Sequence, residues 1–359
     1  MKRIVICADG TWNLRDQVDR NTGKRRPTNV TKLARAVLAQ AGDGTHQLVG
    51  YFDGVGTGGG IDRYTGGAFG KGIEDNVREI YRFLVYNYVR GDQIYLFGFS
   101  RGAFTVRTLA GFLHQVGLLQ KDDDYFVPEI YACYESRHAP GSDAWKHAFR
   151  GTRNVQAAPP IRMLGVWDTV GALGAPGLLG QLLNGRKYRY HQVALTPEIQ
   201  HAFHAMAIDE RRKAFQVNAW QRPPGWSGVL EQVWFAGVHG NVGGGYRPDG
   251  LANEALHWMA EQAEGLGLEL DADYLAYFRP CFNSTLNDSM TLAYRALGSA
   301  RRPVGEVAGG GEALHQSVLD RLASAECGYL PPNVPVAAVA GPQPLPVVST
   351  TRVSRGRPC

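Results

Sequence analysis

The sequence predicts an α/β fold in which a mostly parallel sheet carries helices on both faces. Short apolar, β-branched or aromatic segments alternate with longer segments of helical periodicity. The predicted strands end at turns that contain Gly or Asp, and open α/β sheets place their ligand sites at such strand ends. The 359 residues are 44% hydrophobic and 20% charged, a composition typical of globular proteins rather than of disordered or fibrous ones.

Five strands are predicted because each is a run of apolar, β-branched or aromatic residues that ends at a turn. In chain order they are Arg3–Ala8, Gln47–Phe52, Gln93–Phe99, Ile161–Trp167 and Gln232–Val238. Five helices are predicted from apolar residues that recur at helical spacing. In chain order they are Asn29–Ala41, Asp75–Tyr88, Ala103–Gly117, Pro197–Phe215 and Asn253–Glu264.

We expect residues 1–330 to form one domain and residues 331–359 to form a mobile C-terminal tail. The tail begins with Pro-Pro-Asn-Val-Pro and continues with Gly-Pro-Gln-Pro-Leu-Pro, which favours extended backbone. Two earlier segments are expected to be loops beside the site. Gly54–Gly72 is rich in glycine, and the leucines of Gly174–Leu183 could line an acyl pocket, form a small lid or pack in the core.

Charge and hydropathy exclude several classes of function. The formal net charge of +5 is spread without a basic stripe, so we expect no nucleic-acid partner. No apolar run approaches the roughly 18 residues of a membrane span, and the first apolar run is too short for a signal peptide. We therefore expect a cytoplasmic protein, with signal-independent export left open. The five cysteines show neither a CxxC pair nor metal-ligand spacing, which argues against a disulfide framework.

The pentapeptide from Gly98 to Gly102 fits the G-x-S-x-G pattern of a nucleophilic serine, with Ser100 at its centre. It joins a predicted strand to a predicted helix, which is the context that the pattern requires. Gly98 and Gly102 would let the strand and helix backbones close around the turn, and the helix N-terminus would favour a nearby oxyanion. A chance match in a chain with 45 glycines is the competing interpretation.

A nucleophilic serine needs a base and an orienting acid, which follow it in the order acid, then histidine, in α/β-hydrolases. Asp168 and His239 each stand at the C-terminal end of an apolar strand, in that order. Because the carboxyl ends of parallel strands meet at one sheet edge, we expect Ser100, Asp168 and His239 to converge there. Taken singly, Asp168 could merely cap a turn and His239 could be a buried structural histidine.

Other residues compete for these roles. His201 and His204 lie three apart in a predicted helix and could share one face, but no carboxylate follows at the spacing of zinc proteases. Asp209 precedes three basic residues and fits an ion-paired helix surface, whereas Asp249 lies in a turn sequence. We therefore expect no metal ion and assign the acid to Asp168.

An oxyanion hole needs one backbone N–H next to the serine and a second from the loop after an earlier strand. The N–H of Arg101 fits the first position. The first predicted strand ends at Asp9-Gly10-Thr11, so Gly10 or Thr11 could supply the second donor, with the Asp9 side chain shaping the turn. A turn without chemistry explains these residues equally well.

Four motifs, in this order along the chain, resemble those of one family. They are Asp9-Gly10-Thr11-Trp12-Asn13, Gly98-Phe99-Ser100-Arg101-Gly102-Ala103, Trp167-Asp168-Thr169-Val170-Gly171 and the glycine motif from Val238 to Tyr246. They resemble the uncharacterised α/β-hydrolase domain shared with phospholipase effectors of type VI secretion systems, in their first lipase class. The resemblance spans about residues 1–330. It implies an α/β-hydrolase-like fold and a cofactor-independent serine ester hydrolase, with Ser100 as nucleophile, His239 as base and Asp168 as acid.

The resemblance also implies partners: an ester or phospholipid substrate, a membrane surface and a component of the secretion system. One position departs from the family, whose glycine motif usually begins His-Ser-Asp, whereas here Gly240 and Asn241 follow His239. If that aspartate supplies charge near the histidine, this chain has only an amide there. The alternative to a lipase-like hydrolase is therefore a catalytically weak ligand-binding or effector-type interaction module on the same fold.

Overall fold

The computed structural model describes residues 1–10, 13, 16–18, 23–54, 66–152, 155–171, 194–307, 309–341 and 344–351. Within these residues, eight parallel strands form one sheet. They are β1 (Arg3–Ala8), β2 (Gln47–Phe52), β3 (Gln93–Phe99), β4 (Ile161–Trp167), β5 (His201–Ala207), β6 (Val229–Phe235), β7 (Glu312–His315) and β8 (Val347–Val348). Their order across the sheet is β8-β7-β6-β5-β4-β3-β1-β2. The predicted α/β fold with a mostly parallel sheet is confirmed.

Helices cover both faces of this sheet. They are α1 (Asn29–Ala36), α2 (Gly66–Asn87), α3 (Arg101–Val116), α4 (Val127–Glu135), α5 (Asp143–Ala148), α6 (His239–Gly243), α7 (Gly250–Gly265), α8 (Ala272–Ala276), α9 (Leu292–Ala296), α10 (Gln316–Ala323) and α11 (Val336–Ala340). Two short 3-10 helices, Lys121–Phe126 and Lys213–Phe215, and an antiparallel pair, Leu118–Leu119 with Val155–Gln156, complete the elements. Among the described helices, none is long and apolar enough to cross a lipid bilayer.

The core lies in two layers, one on each face of the sheet. In β1, Ile4 and Ile6 face the layer formed with α2, α3 and α4, whereas Val5 and Cys7 face the layer formed with α1 and α7. Successive side chains of a strand point to opposite faces, so a strand that is covered on both sides is apolar at every position. This explains why the predicted strands appear in the sequence as continuous apolar runs.

Four predicted strands have the predicted bounds, but the predictions between β4 and β6 need correction. The strand predicted at Gln232–Val238 is observed at Val229–Phe235, three residues earlier. The helix predicted at Pro197–Phe215 is wrong, because its central part is β5, which lies between β4 and β6. Six of the seven β5 residues are buried, and a run that is apolar all round fits a buried strand as well as a buried helix.

The described residues of the predicted C-terminal tail include regular secondary structure rather than extended backbone throughout, while its mobility stays a prediction. The tail contains α11 and the edge strand β8, which pairs with β7. Asn333 Nδ2 donates hydrogen bonds to the carbonyl oxygens of Ile208 (3.0 Å) and Arg302 (3.2 Å), and Leu345 packs against the core. These contacts join the described part of the segment to the rest of the structure, while residues 352–359 lie outside the described part; the domain boundary at residue 330 stays a prediction.

The cysteines have two kinds of environment. Cys7, Cys133 and Cys327 are free thiols, and the first two are buried. Cys281 is disulfide-bonded, which the cysteine spacing did not predict. Burial raises the pKa of the Cys7 thiol far above its usual value, so this thiol stays protonated in the core.

Candidate active site

Ser100 lies on a sharp turn between β3 and α3 with φ 57° and ψ −118°. A positive φ is strained for a residue with a side chain, and it is the conformation expected of a nucleophile elbow. Both flanking glycines are required sterically. A Cβ atom on Gly98 would lie 2.6 Å from the backbone of Ala103, and one on Gly102 would lie 2.1 Å from the carbonyl oxygen of Ala8.

The hydroxyl of Ser100 meets the imidazole of His239. Ser100 Oγ lies 2.8 Å from His239 Nε2, which is within hydrogen-bond distance. His239 is the first residue of α6, and its ring packs between Phe99 and Phe215, with centroid distances of 4.6 and 5.1 Å. Its backbone N–H donates to Glu210 Oε2 over 3.3 Å. The ring is therefore held from both sides, with one nitrogen facing the serine.

The second ring nitrogen meets the predicted acid. His239 Nδ1 lies 2.6 Å from Oδ2 of Asp168, which follows β4 and is fully buried. Asp168 also has a positive φ of 42° and donates its N–H to the carbonyl oxygen of Ala205 over 2.8 Å. Its Oδ1 accepts the N–H of Ala207 over 2.9 Å. The three residues predicted to converge form one hydrogen-bonded chain at the carboxyl end of the sheet.

An arginine that sequence reasoning missed lies behind Asp168. Both terminal nitrogens of the fully buried Arg302 donate to the carboxylate, Nη1 to Oδ1 and Nη2 to Oδ2, the latter over 2.9 Å. The guanidinium also donates to the carbonyl oxygens of Ala207 (2.9 Å) and Phe215 (2.7 Å). Arg302 lies 134 positions after Asp168 and belongs to no motif, so the sequence carries no signal for this pair.

Burial and charge set the protonation of the pair. Burial alone would raise the pKa of Asp168, but the Arg302 charge and the hydrogen bond from His239 hold it well below its usual value. Burial lowers the pKa of His239, and Asp168 opposes that effect only in part. Near neutral pH the site therefore holds an ionised carboxylate and a neutral imidazole, which is the state that a general base needs.

The carboxylate of Asp9 organises the loop after β1. Asp9 Oδ1 accepts the N–H of Gly10 over 2.6 Å. Its Oδ2 accepts the hydroxyls of Thr28 (2.6 Å), Thr31 (3.0 Å) and Tyr51 (2.5 Å). Complete burial raises the pKa of Asp9 above its usual value despite these bonds. Asp9 thus shapes the turn, as expected, by fixing four donors around one buried carboxyl group.

Two of the three candidate oxyanion donors lie beside the nucleophile. A Cβ atom on Gly10 would lie 3.3 Å from Ser100 Cβ, so the loop backbone passes directly along the serine. Arg101 is the first residue of α3, so its N–H belongs to the helix turn that lacks intrahelical acceptors. The Gly10 N–H faces Asp9 and would have to share that bond to reach an oxyanion. Thr11 lies outside the described residues.

The side-chain amide of Asn241 makes hydrogen bonds that account for an asparagine where the glycine motif of the family usually has aspartate. Its Oδ1 accepts the N–H groups of Val238 (3.3 Å) and Asn287 (3.1 Å). Its Nδ2 donates to Thr285 O (3.2 Å) and to Asn287 Oδ1 (2.9 Å). A carboxylate could make only the first two bonds, so the amide is the better fit. The carboxylates that contact His239 belong to Asp168, at ring Nδ1, and to Glu210, at the backbone N–H.

The rival acids make no hydrogen bond to His239. Asp209 is not on an ion-paired helix surface as predicted, because it follows the strand β5 and is half-buried. It accepts the Gly237 N–H (2.6 Å) and the Tyr329 hydroxyl (2.9 Å). Asp249 accepts a hydrogen bond of 2.9 Å from the buried Lys32 ammonium, so it has a structural role.

The rival histidines lie on β5 rather than on a helix, so the predicted shared face does not exist. Residues three apart on a strand point to opposite faces, which separates His201 from His204. His204 Nε2 accepts the Thr169 N–H over 3.0 Å, and burial lowers its pKa to about 3. A neutral His204 thereby supports the turn that begins at Asp168.

The two predicted loops lie largely outside the described residues. Residues 55–65 and 172–193 are not described, so neither substrate access nor a lid can be located there. The last part of Gly54–Gly72 is the beginning of α2 rather than a loop, since that helix starts at Gly66.

A sequence model of the type VI secretion phospholipase effector family, Tle1-like, catalytic domain, matches residues 2–262. The uncharacterized protein YEL023C of Saccharomyces cerevisiae is 28% identical over 236 residues, which are 60% of this chain and 32% of that protein.

Two solved structures resemble the chain more distantly. An uncharacterized protein from Pseudomonas aeruginosa shows 16% identity and a TM-score of 0.49, covering 79% of this chain and 49% of that one. The Tle1 effector bound to the VgrG spike of the type 6 secretion system shows 21% identity and a TM-score of 0.40, covering 68% and 51%. The chain thus spans about a third of the yeast relative and about half of each solved chain.

Proposed function

This chain belongs to the Tle1-like family of type VI secretion phospholipase effector catalytic domains, and we propose that it is a serine hydrolase that cleaves phospholipid esters. One observation carries the proposal. Ser100 Oγ, His239 and Asp168 form a hydrogen-bonded chain with distances of 2.8 and 2.6 Å, and it begins at a serine with positive φ. That arrangement of nucleophile, base and orienting acid is the one that acyl transfer through serine requires.

In the proposed first step, Ser100 Oγ attacks the ester carbonyl carbon while His239 Nε2 takes the hydroxyl proton. Asp168 holds the Nδ1–H tautomer and stabilises the imidazolium that forms. The tetrahedral intermediate collapses as the imidazolium returns that proton to the leaving alkoxide, which departs as an alcohol. The acyl group is left on the serine, and water that is deprotonated by His239 then releases it as a carboxylic acid.

We assign the first oxyanion donor to the N–H of Arg101. We assign the second to Gly10 or Thr11, because Gly10 lies beside Ser100, where a Cβ atom on Gly10 would be 3.3 Å from Ser100 Cβ. Each donor contributes about 3 kcal/mol to transition-state stabilisation when it is well aimed. The positive end of the α3 dipole points at the same place, which adds to the effect.

A phospholipid substrate implies contact with a membrane surface, and α9 offers a suitable element. Tyr294 of α9 packs against Phe215 at 5.8 Å, and Phe215 in turn packs against His239. Leu292, on the same short helix, is 84% exposed. An apolar side chain that stands in water beside the site can enter the lipid interface.

Turnover of two substrates tests the proposal: a soluble short-chain ester and phospholipid vesicles. We expect wild type to hydrolyse both and to be labelled by a fluorophosphonate probe. Ser100→Ala should abolish turnover and labelling, whereas Ser136→Ala, at an exposed serine, should change neither. Leu292→Glu should lower vesicle turnover alone, and Val336→Glu, at an equally exposed position, serves as its control.

Absence of probe labelling in folded wild type would favour the alternative, a weak ligand-binding module. The departure at Asn241 was the reason for that alternative. It loses force because the amide makes four hydrogen bonds and makes none to the imidazole of His239.

The matching family is named for secretion effectors, so we also propose a component of that secretion apparatus as a protein partner. Co-purification of the chain with a spike protein of that system would test this. A lack of binding would remove the partner and leave the hydrolase proposal intact.

A further inference from the structure

Arg302 is a buried cation of the candidate active site whose two terminal nitrogens both donate to Asp168. It follows α9, on the segment that leads to β7, and its side chain is fully buried. This residue lies beyond the residues 2–262 that match the family. Its position next to Asp168 therefore comes from a part of the chain to which the comparisons assign no role.

The contacts of Asp168 show how strongly Arg302 constrains the acid. Oδ1 accepts from Arg302 Nη1 and the Ala207 N–H, and Oδ2 accepts from Arg302 Nη2 and His239 Nδ1. Four donors nearly saturate a carboxylate, so its plane and the lone pair facing His239 are fixed. The bidentate fork supplies two of these donors, which is the contact geometry that only arginine offers.

The same guanidinium ties together the elements around the histidine. It donates to Ala207 O at the end of β5 and to Phe215 O in the segment whose ring packs on His239. The buried Arg302 side chain thus contacts the Asp168 carboxylate, the end of β5 and the backbone of Phe215, whose ring packs on His239.

Charge has a second consequence. The groups facing His239 are Asp168 and Glu210, which favour the imidazolium, and Arg212, which opposes it. Arg302 and the imidazole of His239 both contact the carboxylate of Asp168. The positive charge of Arg302 therefore weakens the stabilisation that this carboxylate gives to the protonated form of His239. Its removal should therefore make His239 more basic.

We propose that Arg302 is a positioning residue, whose guanidinium locks the Asp168 carboxylate in the plane of His239 and extends the range of pH in which that imidazole is neutral. The proposal rests on the serine hydrolase function put forward above. It is tested by two readouts, of which only one depends on that function.

The first readout is the titration of His239 by NMR in the full chain labelled with ¹⁵N-histidine, the signal being identified by its loss in His239→Gln. We expect Arg302→Met to raise the midpoint by about one pH unit, since a charge within a few ångströms of the pair is lost. Arg302→Lys keeps the charge, so its midpoint should stay near that of wild type. Arg301→Met, at the exposed neighbouring arginine, is the matched control and should change nothing.

The second readout is kcat and the pH profile of kcat/KM on a soluble ester. Arg302→Lys should lower kcat by about 10- to 100-fold with an unmoved acidic limb, because the charge remains while the fork is lost. Arg302→Met should lower kcat further and move that limb upward.

Folded variants with wild-type kcat and an unshifted His239 titration would overturn the proposal. If Arg302→Met does not fold, Arg302→Lys decides the matter, since wild-type kcat in that variant excludes positioning by the fork. If wild type hydrolyses no ester, the proposed function fails while the NMR titration still decides whether Arg302 controls His239.

Discussion

Replacing Asp168 by asparagine should reduce kcat by about 10⁴, the loss that removal of the orienting carboxylate causes in serine proteases. The structure gives a specific reason. Each carboxylate oxygen accepts one N–H of Arg302, so the amide NH₂ of an asparagine faces a guanidinium donor in either orientation. The amide must twist away from one of these contacts, and His239 Nδ1 then loses the acceptor that now lies 2.6 Å away. The imidazole is free to adopt the tautomer that cannot take the serine proton.

The same substitution should also destabilise the fold. A buried guanidinium without its carboxylate costs about 3–5 kcal/mol. In a chain of 359 residues, that corresponds to a decrease in Tm of about 4–7 °C. Asp168→Asn should therefore be folded at 20 °C but should unfold at a clearly lower temperature than wild type.

Steady-state hydrolysis of a soluble ester and thermal unfolding monitored by circular dichroism measure the two effects. Asp209→Asn is the matched control, because Asp209 is a half-buried aspartate that follows the next strand, β5, but accepts only the Gly237 N–H and the Tyr329 hydroxyl. Its kcat should stay within a few-fold of wild type. Near-wild-type turnover in Asp168→Asn, or loss of turnover in the control, would refute the assignment of the acid.

Three further predictions concern the elbow, the glycine motif and the base. Gly102→Ala should lower the free energy of unfolding, measured by urea denaturation, by about 3 kcal/mol, because its Cβ would lie 2.1 Å from Ala8 O. The control Gly265→Ala should leave that free energy nearly unchanged, because a Cβ there meets no packed neighbour within 4 Å. Asn241→Asp should lower the free energy of unfolding by about 1–3 kcal/mol, because two donated hydrogen bonds are lost, and it should not increase kcat. A tenfold increase in kcat would instead indicate that an aspartate at this position supplies useful charge near His239. Because the pKa of His239 is lowered by burial, the acidic limb of kcat/KM on a soluble ester should be centred below the ordinary histidine value of about 6.5, and a limb centred above that value contradicts the protonation argument.

Predictions from the sequence were accurate where a local pattern determines the structure. The strands β1, β3 and β4 are buried at nearly every position, so their continuous apolar runs gave their bounds, whereas β2 lies at the sheet edge and is partly buried. The turn predicted at Gly98–Gly102 joins β3 to α3, and Ser100 at its centre has a positive φ of 57°. The convergence of Ser100, Asp168 and His239 followed from one geometric fact, the shared carboxyl edge of parallel strands.

The error at β5 shows where local patterns fail. Its sequence is apolar or aromatic around two histidines, which is compatible with a buried helix and with a buried strand. The tertiary position between β4 and β6 selects the strand. Because the sequence predicts a helix here, it gives no reason to place Glu210 at the carboxyl edge of the sheet. Glu210 lies three residues after the end of β5. The structure shows it accepting the backbone N–H of His239.

Arg302 marks a different limit, because nothing near it in the sequence indicates its partner. Its contact with Asp168 depends on β7 and the C-terminal segment packing against the sheet, where Asn333 donates to its carbonyl oxygen. A buried charge of this kind is costly unless it is paired, so it constrains the acid as strongly as the acid constrains it. The segment after Glu264, for which the sequence predicted no helix or strand, therefore carries the group that holds the candidate acid in place. The family match ends at residue 262 and therefore does not include Arg302, the cation that pairs with Asp168.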